Sequence, residues 1–304
     1  MIPRVQFHVP LAPLSTFRIG GTAEFFVAVK NPEDLVATAS AAARYRMPCR
    51  VFASGSNIVF RDQEVRGLLI QFLGGTITFS GRTCTVDAGV LLERVIKTTV
   101  GAGLKGLETL SGIPGTVGGA IVGNAGAYGH SISEVVERVE IWDGKSRRWI
   151  TRPECHFAYR ESVFKAQPWL ILRARLRFTP GDATELGRIS REIICVRLKK
   201  YKPGLCCPGS FFKNVLVSDV SKASLQRIDP GRIIEGKIPT GYLLEQVGAN
   251  GMRLDGIEIA SFHGNLFVNR GGGKCAAVRR LARVLKALVE RKFGIKIEEE
   301  VRYF

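Results

Sequence analysis

A glycine-rich segment near the middle of the chain, residues 111–129 with the sequence SGIPGTVGGAIVGNAGAYG, most constrains the fold. Seven of its 19 residues are glycine. Because glycine costs backbone entropy and packs no side chain, we predict that this segment is neither a regular helix nor a regular strand. Bare backbone can approach a ligand closely and present N–H groups to phosphate or carbonyl oxygens. The segment therefore favours a ligand-binding loop over a turn-rich connection.

A second candidate ligand loop, Ser54-Gly55-Ser56-Asn57, directly follows a predicted strand at 49–53. A glycine and serine loop after a strand offers several hydrogen-bond donors at small steric cost, which suits a pyrophosphate. This loop has neither the GxGxxG pattern of a Rossmann domain nor the GxxxxGKS pattern of a P-loop NTPase. Both of those folds are disfavoured.

The rest of the chain alternates predicted helices and strands. Asn31 followed by Pro32 is a typical helix start, and apolar residues then recur at helical spacing through Ala43. Further strands are predicted at 68–73, 83–88, 135–142 and 169–178, and further helices around 91–99, 186–196 and 278–289. On the helix at 186–196 the predicted inner face comprises Leu186, Ile189, Ile193 and Val196. The last helix has a basic outer face, which we interpret as solvated rather than as a membrane or RNA surface.

The strand at 169–178 alternates apolar residues with Arg173, Arg175 and Arg177. This pattern predicts a half-buried strand whose basic side faces solvent. An arginine ladder that holds phosphates is the alternative.

The length of 304 residues predicts two or three domains. No apolar stretch reaches the ~20 residues that span a bilayer, and no secretory signal is evident, so we expect a cytoplasmic protein without membrane insertion. The net charge of +17 favours phosphate-bearing ligands. Because the basic residues are dispersed, we expect no nucleic-acid partner.

The seven cysteines are odd in number and scattered, and their only close pair, Cys206 and Cys207, is vicinal. This spacing predicts neither a disulfide framework nor a metal site. We expect small buried or half-buried thiols and no bound metal.

Nine sequence blocks resemble, in order, those of the UDP-N-acetylenolpyruvoylglucosamine reductase family. The blocks are FRIGG at 17–21, GSN at 55–57, SGIPGTVGGA at 111–120, NAGAYG at 124–129, YRES at 159–162, GSFFKN at 209–214, GKIPTGYLLE at 236–245, HGNLFVN at 263–269 and IEEEVR at 297–302. The resemblance therefore covers residues 17–302.

The resemblance implies an α+β fold in which a two-part FAD-binding region of the vanillyl-alcohol-oxidase (PCMH) type precedes a C-terminal α+β substrate-binding domain. We expect FAD-binding subdomains at 1–75 and 76–190 and the substrate domain at 191–304. The implied reaction uses FAD and NADPH to reduce the enolpyruvyl ether of UDP-N-acetylglucosamine to UDP-N-acetylmuramate for peptidoglycan synthesis. The partner is then a small-molecule UDP-sugar, and we expect a monomer.

The resemblance also implies site residues. The expected FAD-binding residues are Arg18, Ser54, Gly55, Ser56, Asn57, Gly112, Ile113, Pro114, Gly115, Thr116, Gly118, Gly119, Asn124 and Gly126. The expected substrate-binding residues are Tyr128, Tyr159, Lys213, Asn214 and His263.

Three residues match the family's catalytic groups. Ser210 matches the proton donor, Arg160 the arginine that holds the substrate carboxylate, and Glu300 the catalytic glutamate. A forked guanidinium can bind both carboxylate oxygens and draw charge away from the developing carbanion. Without the resemblance, each would be interpreted as an ordinary turn serine, surface arginine or solvated acid.

The chain departs from the family at two places beside Ser210. Val215 stands where proline is common, and Cys206-Cys207-Pro208 replaces a stretch that usually contains serine and alanine. The short spacing between Arg160 and Ser210 resembles the subclass that lacks a tyrosine-bearing lid.

Two alternatives remain open at this point: another flavin oxidoreductase of the same fold, or a non-catalytic anion-binding protein. The GSFFKN and EVR motifs favour the reductase over both.

Overall fold

The computed structural model describes residues 4–304, so the first three residues of the expected 1–75 subdomain lie outside the described chain. The helices are α1 (Pro32–Arg44), α2 (Leu92–Gly101), α3 (Val117–Val122), α4 (Ala183–Lys200), α5 (Lys222–Leu225), α6 (Thr240–Gln246) and α7 (Cys275–Phe293).

The strands have two to eight residues, and every strand after residue 178 has only two or three. They are β1 (Gln6–Pro10), β2 (Thr22–Val29), β3 (Cys49–Phe52), β4 (Ile58–Val59), β5 (Val65–Phe72), β6 (Ile77–Ser80), β7 (Thr83–Asp87), β8 (Leu104–Lys105), β9 (Gly126–Ala127), β10 (His130–Ser131), β11 (Val136–Trp142), β12 (Arg147–Thr151), β13 (Leu170–Arg177), β14 (Thr179–Pro180), β15 (Val215–Leu216), β16 (Lys237–Ile238), β17 (Arg253–Leu254), β18 (Ile257–Ile259), β19 (Phe267–Asn269) and β20 (Arg302–Tyr303).

The chain forms two compact units. The first comprises the described residues up to 9 together with 23–54 and 66–200, and the second comprises 10–22, 55–65 and 201–304. Two stretches near the N-terminus therefore fold with the C-terminal third of the chain. The finer division at residues 75 and 190 stays a prediction.

The first unit contains two main sheets. One has the strand order β1-β2-β5-β3, and the other is antiparallel with the order β12-β11-β13-β7-β6. Helix α1 begins as predicted, since the Asn31 side chain accepts a hydrogen bond from the Asp34 N–H at 2.8 Å and Pro32 opens the first turn. Its inner face buries Leu35 and Ala39 in the core of this unit.

The prediction that the glycine-rich segment contains no regular helix was wrong, because Val117–Val122 forms α3. The Thr116 hydroxyl caps this helix by accepting from the Gly119 N–H at 3.3 Å. A Cβ at Gly118 would lie 2.9 Å from the Cβ of Ala88. Glycine at 118 thus allows α3 to pack directly on the residue that follows β7, and this contact outweighs its poor helix propensity.

The interpretation of Arg173 as part of a solvated basic face was also wrong. Its guanidinium donates to Asp87 at 2.9 Å, to Glu140 at 3.1 Å and to Glu33 at 2.8 Å. Asp87 and Glu140 are its cross-strand neighbours on β7 and β11, so the register of the sheet creates the cluster. The hydrogen bond from Arg173 holds the pKa of the Glu33 carboxyl below its usual value.

Helix α4 differs from prediction at Val196, which is 52% exposed. The packed side of α4 instead runs through Leu186, Ser190, Ile193 and Arg197, which recur at helical spacing. The Ser190 hydroxyl lies 2.7 Å from that of Ser111, and Arg197 packs against Gly112. The 108–112 segment therefore selects the buried side, and Val196 lies beside it.

The second unit contains the antiparallel sheet β17-β18-β19 and the parallel pair β4 and β20. Helix α7 begins where the Asp62 carboxylate accepts from the N–H groups of Cys275 at 2.7 Å and Ala276 at 3.0 Å. It ends at Gly294, whose φ of 68° favours glycine. As predicted, α7 buries its apolar residues, including Val278, Leu281, Leu285 and Val289.

The expectation of buried or half-buried thiols holds for six cysteines and was wrong for Cys195, which is exposed on α4. Burial raises the pKa of Cys49 to about 11 and that of Cys84 to about 12. Within residues 4–304, no cluster of His, Cys, Asp or Glu side chains is arranged to hold a metal ion. Over the same residues, no helix is both long enough and apolar enough to cross a membrane.

Candidate active site

In the first unit, the glycine-rich segment divides into a loop at 112–116 and helix α3. The N–H groups of Val117 and Gly118 donate to the carbonyls of Val90 at 2.9 Å and Ala88 at 2.8 Å, so the protein itself uses these two amides. Gly112 and Gly115 have φ values of 74° and 133°, which favour glycine. Of the expected FAD-binding residues in this segment, Gly112, Pro114 and Gly119 are exposed, and Ile113 packs partly against the core.

Three hydrogen bonds connect the end of this segment to the YRES motif and to Ala158, which directly precedes it. The Asn124 amide donates to the Ala158 carbonyl at 2.8 Å, and the Ser162 hydroxyl donates to the Val122 carbonyl at 2.7 Å. The Arg160 guanidinium donates to the Gly126 carbonyl at 2.9 Å, across 34 residues of sequence. The fold therefore brings Arg160 to the glycine-rich segment.

Four of the expected site residues have left-handed backbone conformations that are uncommon outside glycine. The φ values are 54° at Arg18, 40° at Asn124, 52° at Tyr128 and 57° at Arg160. Such conformations cost free energy and cluster at functional sites. Tyr128 is 49% exposed, which leaves its ring open to a ligand.

The side chains around Arg160 are partly packed. Its guanidinium carbon lies 5.3 Å from the centre of the Tyr159 ring, within cation–π range. Ser54 belongs to this unit and lies just after β3, half-buried.

In the second unit, Ser210 lies on a loop whose backbone is held by Asn265. The Phe211 N–H donates to the Asn265 carbonyl at 3.0 Å. The Asn265 amide then accepts from the Phe212 N–H and donates to the Phe212 carbonyl, both at 2.8 Å. Before Ser210, Gly209 has a φ of 85° and open space where its Cβ would be, so this loop presents an unobstructed side.

The acidic C-terminal segment runs antiparallel to the Ser210 loop. The Glu300 N–H donates to the Phe211 carbonyl at 2.8 Å, and the Lys213 N–H donates to the Glu298 carbonyl at 2.9 Å. The Asn57 side chain donates to the Glu300 carbonyl at 3.1 Å. One unit thus joins the GSN, GSFFKN and IEEEVR motifs, and Glu300 lies beside the Ser210 loop.

The three adjacent glutamates at 298–300 have different contacts. Glu299 forms an ion pair with Lys286 of α7 at 2.6 Å, whereas Glu298 is 75% exposed and pairs with Lys213 at 2.9 Å. The side chains of Glu298 and Glu299 thus pair with lysines of the same unit, while the backbone of Glu300 binds the Ser210 loop and Asn57.

The expected substrate-binding residues of this unit also support the loop. The Asn214 side chain accepts from the Thr240 N–H at 3.2 Å, and the Thr240 hydroxyl donates to the Lys213 carbonyl. His263 accepts from the Asn265 N–H at 3.1 Å through Nδ1 and packs against Gly241. These contacts tie the Lys213–Asn214 turn to the start of α6.

The GSN loop packs closely on the N-terminal region of the same unit. A Cβ at Gly55 would lie 2.3 Å from the Leu14 carbonyl oxygen, so only glycine fits there. The Thr16 hydroxyl donates to the carbonyls of Ser56 at 3.3 Å and Cys207 at 2.9 Å. The carbonyl of Arg18 accepts from Asn269 at 2.9 Å, while its side chain is exposed.

Two residues beside Ser210 were missed in the sequence. Asn265 lies within the HGNLFVN block, where the motif alone favoured His263. Tyr201, whose hydroxyl lies 3.1 Å from that of Ser210, falls outside all nine blocks and gives no sequence signal.

Comparisons with known proteins find relatives for both parts of the chain. Residues 23–151 match the model of an FAD binding domain, and residues 202–304 match that of the UDP-N-acetylenolpyruvoylglucosamine reductase C-terminal domain. A reductase of that name from Solibacter usitatus is 41% identical over 300 residues, covering 98% of this chain and 96% of the relative. Another from Rubrobacter xylanophilus is 33% identical, covering 99% and 96%.

A solved structure extends the likeness to the whole fold. The crystal structure of UDP-N-acetylenolpyruvylglucosamine reductase from Thermus caldophilus has a TM-score of 0.78 and 29% identity, covering 100% of both chains. The expected fold class is confirmed, since an α+β FAD-binding region precedes an α+β C-terminal domain. The match of residues 202–304 also disfavours the two alternative functions.

Proposed function

This chain belongs to the UDP-N-acetylenolpyruvoylglucosamine reductase family, and we infer that it is an FAD-dependent oxidoreductase. Its substrate is UDP-N-acetylenolpyruvoylglucosamine, which it reduces in peptidoglycan synthesis. The observation that carries the proposal is the continuous likeness over nearly the full chain. The product is UDP-N-acetylmuramate. We propose NADPH as the reductant.

The loops expected to hold FAD have the properties that the cofactor requires. Gly55, Gly112 and Gly115 occupy positions where a side chain would clash or the backbone would be strained, so these loops require glycine there. Bare backbone amides suit a pyrophosphate. We propose that these loops, with Arg18, Asn57 and the other residues named from the resemblance, hold FAD. When bound, FAD supplies the hydride that reduces the double bond.

The substrate is an enol ether conjugated to a carboxylate. Hydride addition at its methylene carbon places negative charge on the adjacent carbon and the carboxylate oxygens. The protein therefore has to bind the carboxylate and deliver a proton to the carbon that bears it.

We assign carboxylate binding to Arg160. Its guanidinium can donate to both carboxylate oxygens, and the bond to the Gly126 carbonyl fixes its direction. The left-handed backbone at Arg160 is consistent with a conformation kept for function.

We assign proton delivery to Ser210. Its loop is held on both sides, by Asn265 and by the segment that contains Glu300, so the hydroxyl is positioned before substrate arrives. We propose that the Glu300 carboxylate, on the segment that binds the Ser210 loop, orients the substrate or shares the proton of the charged intermediate.

The two half-reactions provide the test of the function and of Ser210 together. Reduction of the flavin by NADPH and its reoxidation by the enolpyruvyl substrate are followed separately by stopped-flow absorbance. In Ser210→Ala, reduction should stay near normal while reoxidation falls by ~10²–10⁴-fold, the usual contribution of a positioned general acid.

The control is Ser218→Ala, which alters an exposed serine of the same unit that bonds only its neighbour Asp219 among the contacts described. Its reoxidation rate should be unchanged. Equal losses in both half-reactions of Ser210→Ala would show that Ser210 is structural. A wild-type flavin that the enolpyruvyl substrate does not reoxidise would contradict the function itself.

We further propose that the enzyme acts as a cytoplasmic monomer. Light scattering of the purified protein tests this, since a mass near twice 33.3 kDa would contradict it. Comparing kcat/KM for NADPH and NADH tests the reductant. A higher value with NADH would overturn that choice.

A further inference from the structure

We propose that Tyr201 is a positioning residue for the proton donor: it donates a hydrogen bond to Ser210 and passes its phenolic proton to the serine as the serine delivers its own proton to the substrate. The proposal rests on the function and on the role of Ser210 proposed above. It assigns a task to a residue outside every motif shared with the family.

The geometry places the two hydroxyls in contact. The Tyr201 Oη and Ser210 Oγ atoms are 3.1 Å apart, within hydrogen-bond distance. The ring of Tyr201 is partly buried and packs with Leu205 against a small apolar cluster of Ala260, Leu266 and Val268. This packing holds the phenol, while Asn265 holds the loop on the other side of Ser210.

The direction of the hydrogen bond follows from the task of the serine. A serine hydroxyl carries a single hydrogen, so a Ser210 that donates to Tyr201 cannot also donate to a substrate carbon. Tyr201 also has one hydrogen, which can point to Ser210 Oγ. With Tyr201 as donor, this pair does not use the Ser210 hydrogen, and the serine can donate it to the substrate.

The proton balance gives Tyr201 its second task. When Ser210 protonates the substrate, its O–H bond breaks, a C–H bond forms, and negative charge develops on the serine oxygen. A phenol is a far stronger acid than an aliphatic alcohol, so the Tyr201 proton can move to the serine oxygen in the same step, which breaks the phenolic O–H bond and restores the serine hydroxyl. Solvent then reprotonates the phenolate, and both residues return to their starting state.

The test compares Tyr201→Phe with Tyr242→Phe. Tyr242 is also half-buried in the second unit, where its ring stacks under Arg232, and it has no proposed role. Tyr201→Phe should slow reoxidation by about 10- to 100-fold, as expected on losing a hydrogen bond to a charged group. Flavin reduction and substrate affinity should stay unchanged, and Tyr242→Phe should match the wild type. An undiminished reoxidation rate in Tyr201→Phe would overturn the proposal.

A double-mutant cycle then tests whether Tyr201 acts through Ser210. In the Ser210→Ala background, Tyr201→Phe should slow reoxidation less than 2-fold further, because the group that it serves is gone. A full additional loss would place the action of Tyr201 elsewhere. If Ser210→Ala alone leaves reoxidation unchanged, the fault lies in the assignment of Ser210 and not in Tyr201.

Reoxidation rates measured in mixtures of H₂O and D₂O distinguish proton transfer from a purely structural role. Loss of a structural contact would not change how the rate depends on the deuterium fraction. With two protons in transfer, the wild-type rate should curve with the deuterium fraction. Tyr201→Phe leaves only the serine proton, so its dependence should be linear. The same curvature in both enzymes would overturn the proton transfer from Tyr201.

Discussion

Replacing Asn265 by alanine should destabilise the second unit and displace Ser210. The Asn265 side chain is 2% exposed and makes two 2.8 Å hydrogen bonds with the backbone of Phe212, which is itself 1% exposed. Alanine removes both bonds and leaves a buried N–H and a buried carbonyl without these partners. Water cannot readily replace them at such burial.

The expected loss follows from those two groups. Each buried backbone group left unsatisfied costs about 1–3 kcal/mol, so Asn265→Ala should lower the free energy of unfolding of the second unit by about 2–6 kcal/mol. The control is Asn250→Ala, in which an exposed side chain loses one 3.1 Å bond to the Ser261 carbonyl. Water can replace that bond, and the change should stay within about 0.5 kcal/mol.

Urea unfolding followed by two signals can assign the loss to one unit. All three tryptophans, Trp142, Trp149 and Trp169, lie in the first unit, so their fluorescence reports that unit alone. Far-ultraviolet circular dichroism reports both units. In Asn265→Ala, part of the circular-dichroism transition should move to lower urea concentration, while the transition seen by tryptophan fluorescence should stay where it is in the wild type.

The same variant should also slow flavin reoxidation by the enolpyruvyl substrate, because the Ser210 loop loses its anchor. A destabilisation no larger than that of Asn250→Ala would refute the reasoning. So would a transition that shifts equally in both signals, since the loss would then not be local to the second unit.

Three more perturbations test other parts of the structure. Gly118→Ala should lower the free energy of unfolding by about 1–3 kcal/mol, because its Cβ would lie 2.9 Å from that of Ala88. Gly119→Ala should not, because the nearest atom to its Cβ would be 3.6 Å away. Equal melting temperatures of the two variants would contradict this packing. Hydrogen bonding to Arg270 holds the pKa of Glu258 below its usual value. The ionised carboxylate therefore stabilises the fold at pH values above the pKa of an unfolded glutamate, about 4.3. This stabilisation is lost as the pH falls through the lower pKa of the folded state. The stability deficit of Glu258→Gln should therefore be full at pH 7 and narrow below about pH 4, and a deficit independent of pH would refute the linkage. Glu300→Gln should slow reoxidation with substrate affinity nearly intact, and Arg160→Lys should weaken both in stopped-flow titrations; a fully active Glu300→Gln enzyme would remove Glu300 from the site.

Much of the secondary structure could be predicted because its causes are local. The start of α1 depends on Asn31 and Pro32, and the buried side of α7 follows the helical spacing of its apolar residues. Both signals lie within a few residues of one another. The strands at 68–73 and 83–88 were likewise predicted within a few residues of β5 and β7.

The errors occurred where a residue's state depends on a partner distant in sequence. Gly118 belongs to a helix because α3 packs on Ala88. The charge of Arg173 is paired with carboxylates because the sheet register places Asp87 and Glu140 beside it. Val196 is exposed because the 108–112 segment covers another side of α4. None of these partners can be identified from a local pattern.

For the candidate site, the sequence by itself determined the chemical groups: the bare glycine loops, the forked arginine, the serine and the acidic cluster occur in short blocks that need no fold to be recognised. Only the tertiary structure decided how those groups are held. Asn57 bonds the Glu300 carbonyl across 243 positions, Asn265 bonds Phe212 across 53, and Tyr201 reaches Ser210 from outside every block. The reason is physical, because backbone propensity and side-chain chemistry belong to single residues and their near neighbours. A hydrogen bond between distant residues exists only after the chain has folded and brought its donor and acceptor within about 3 Å of each other.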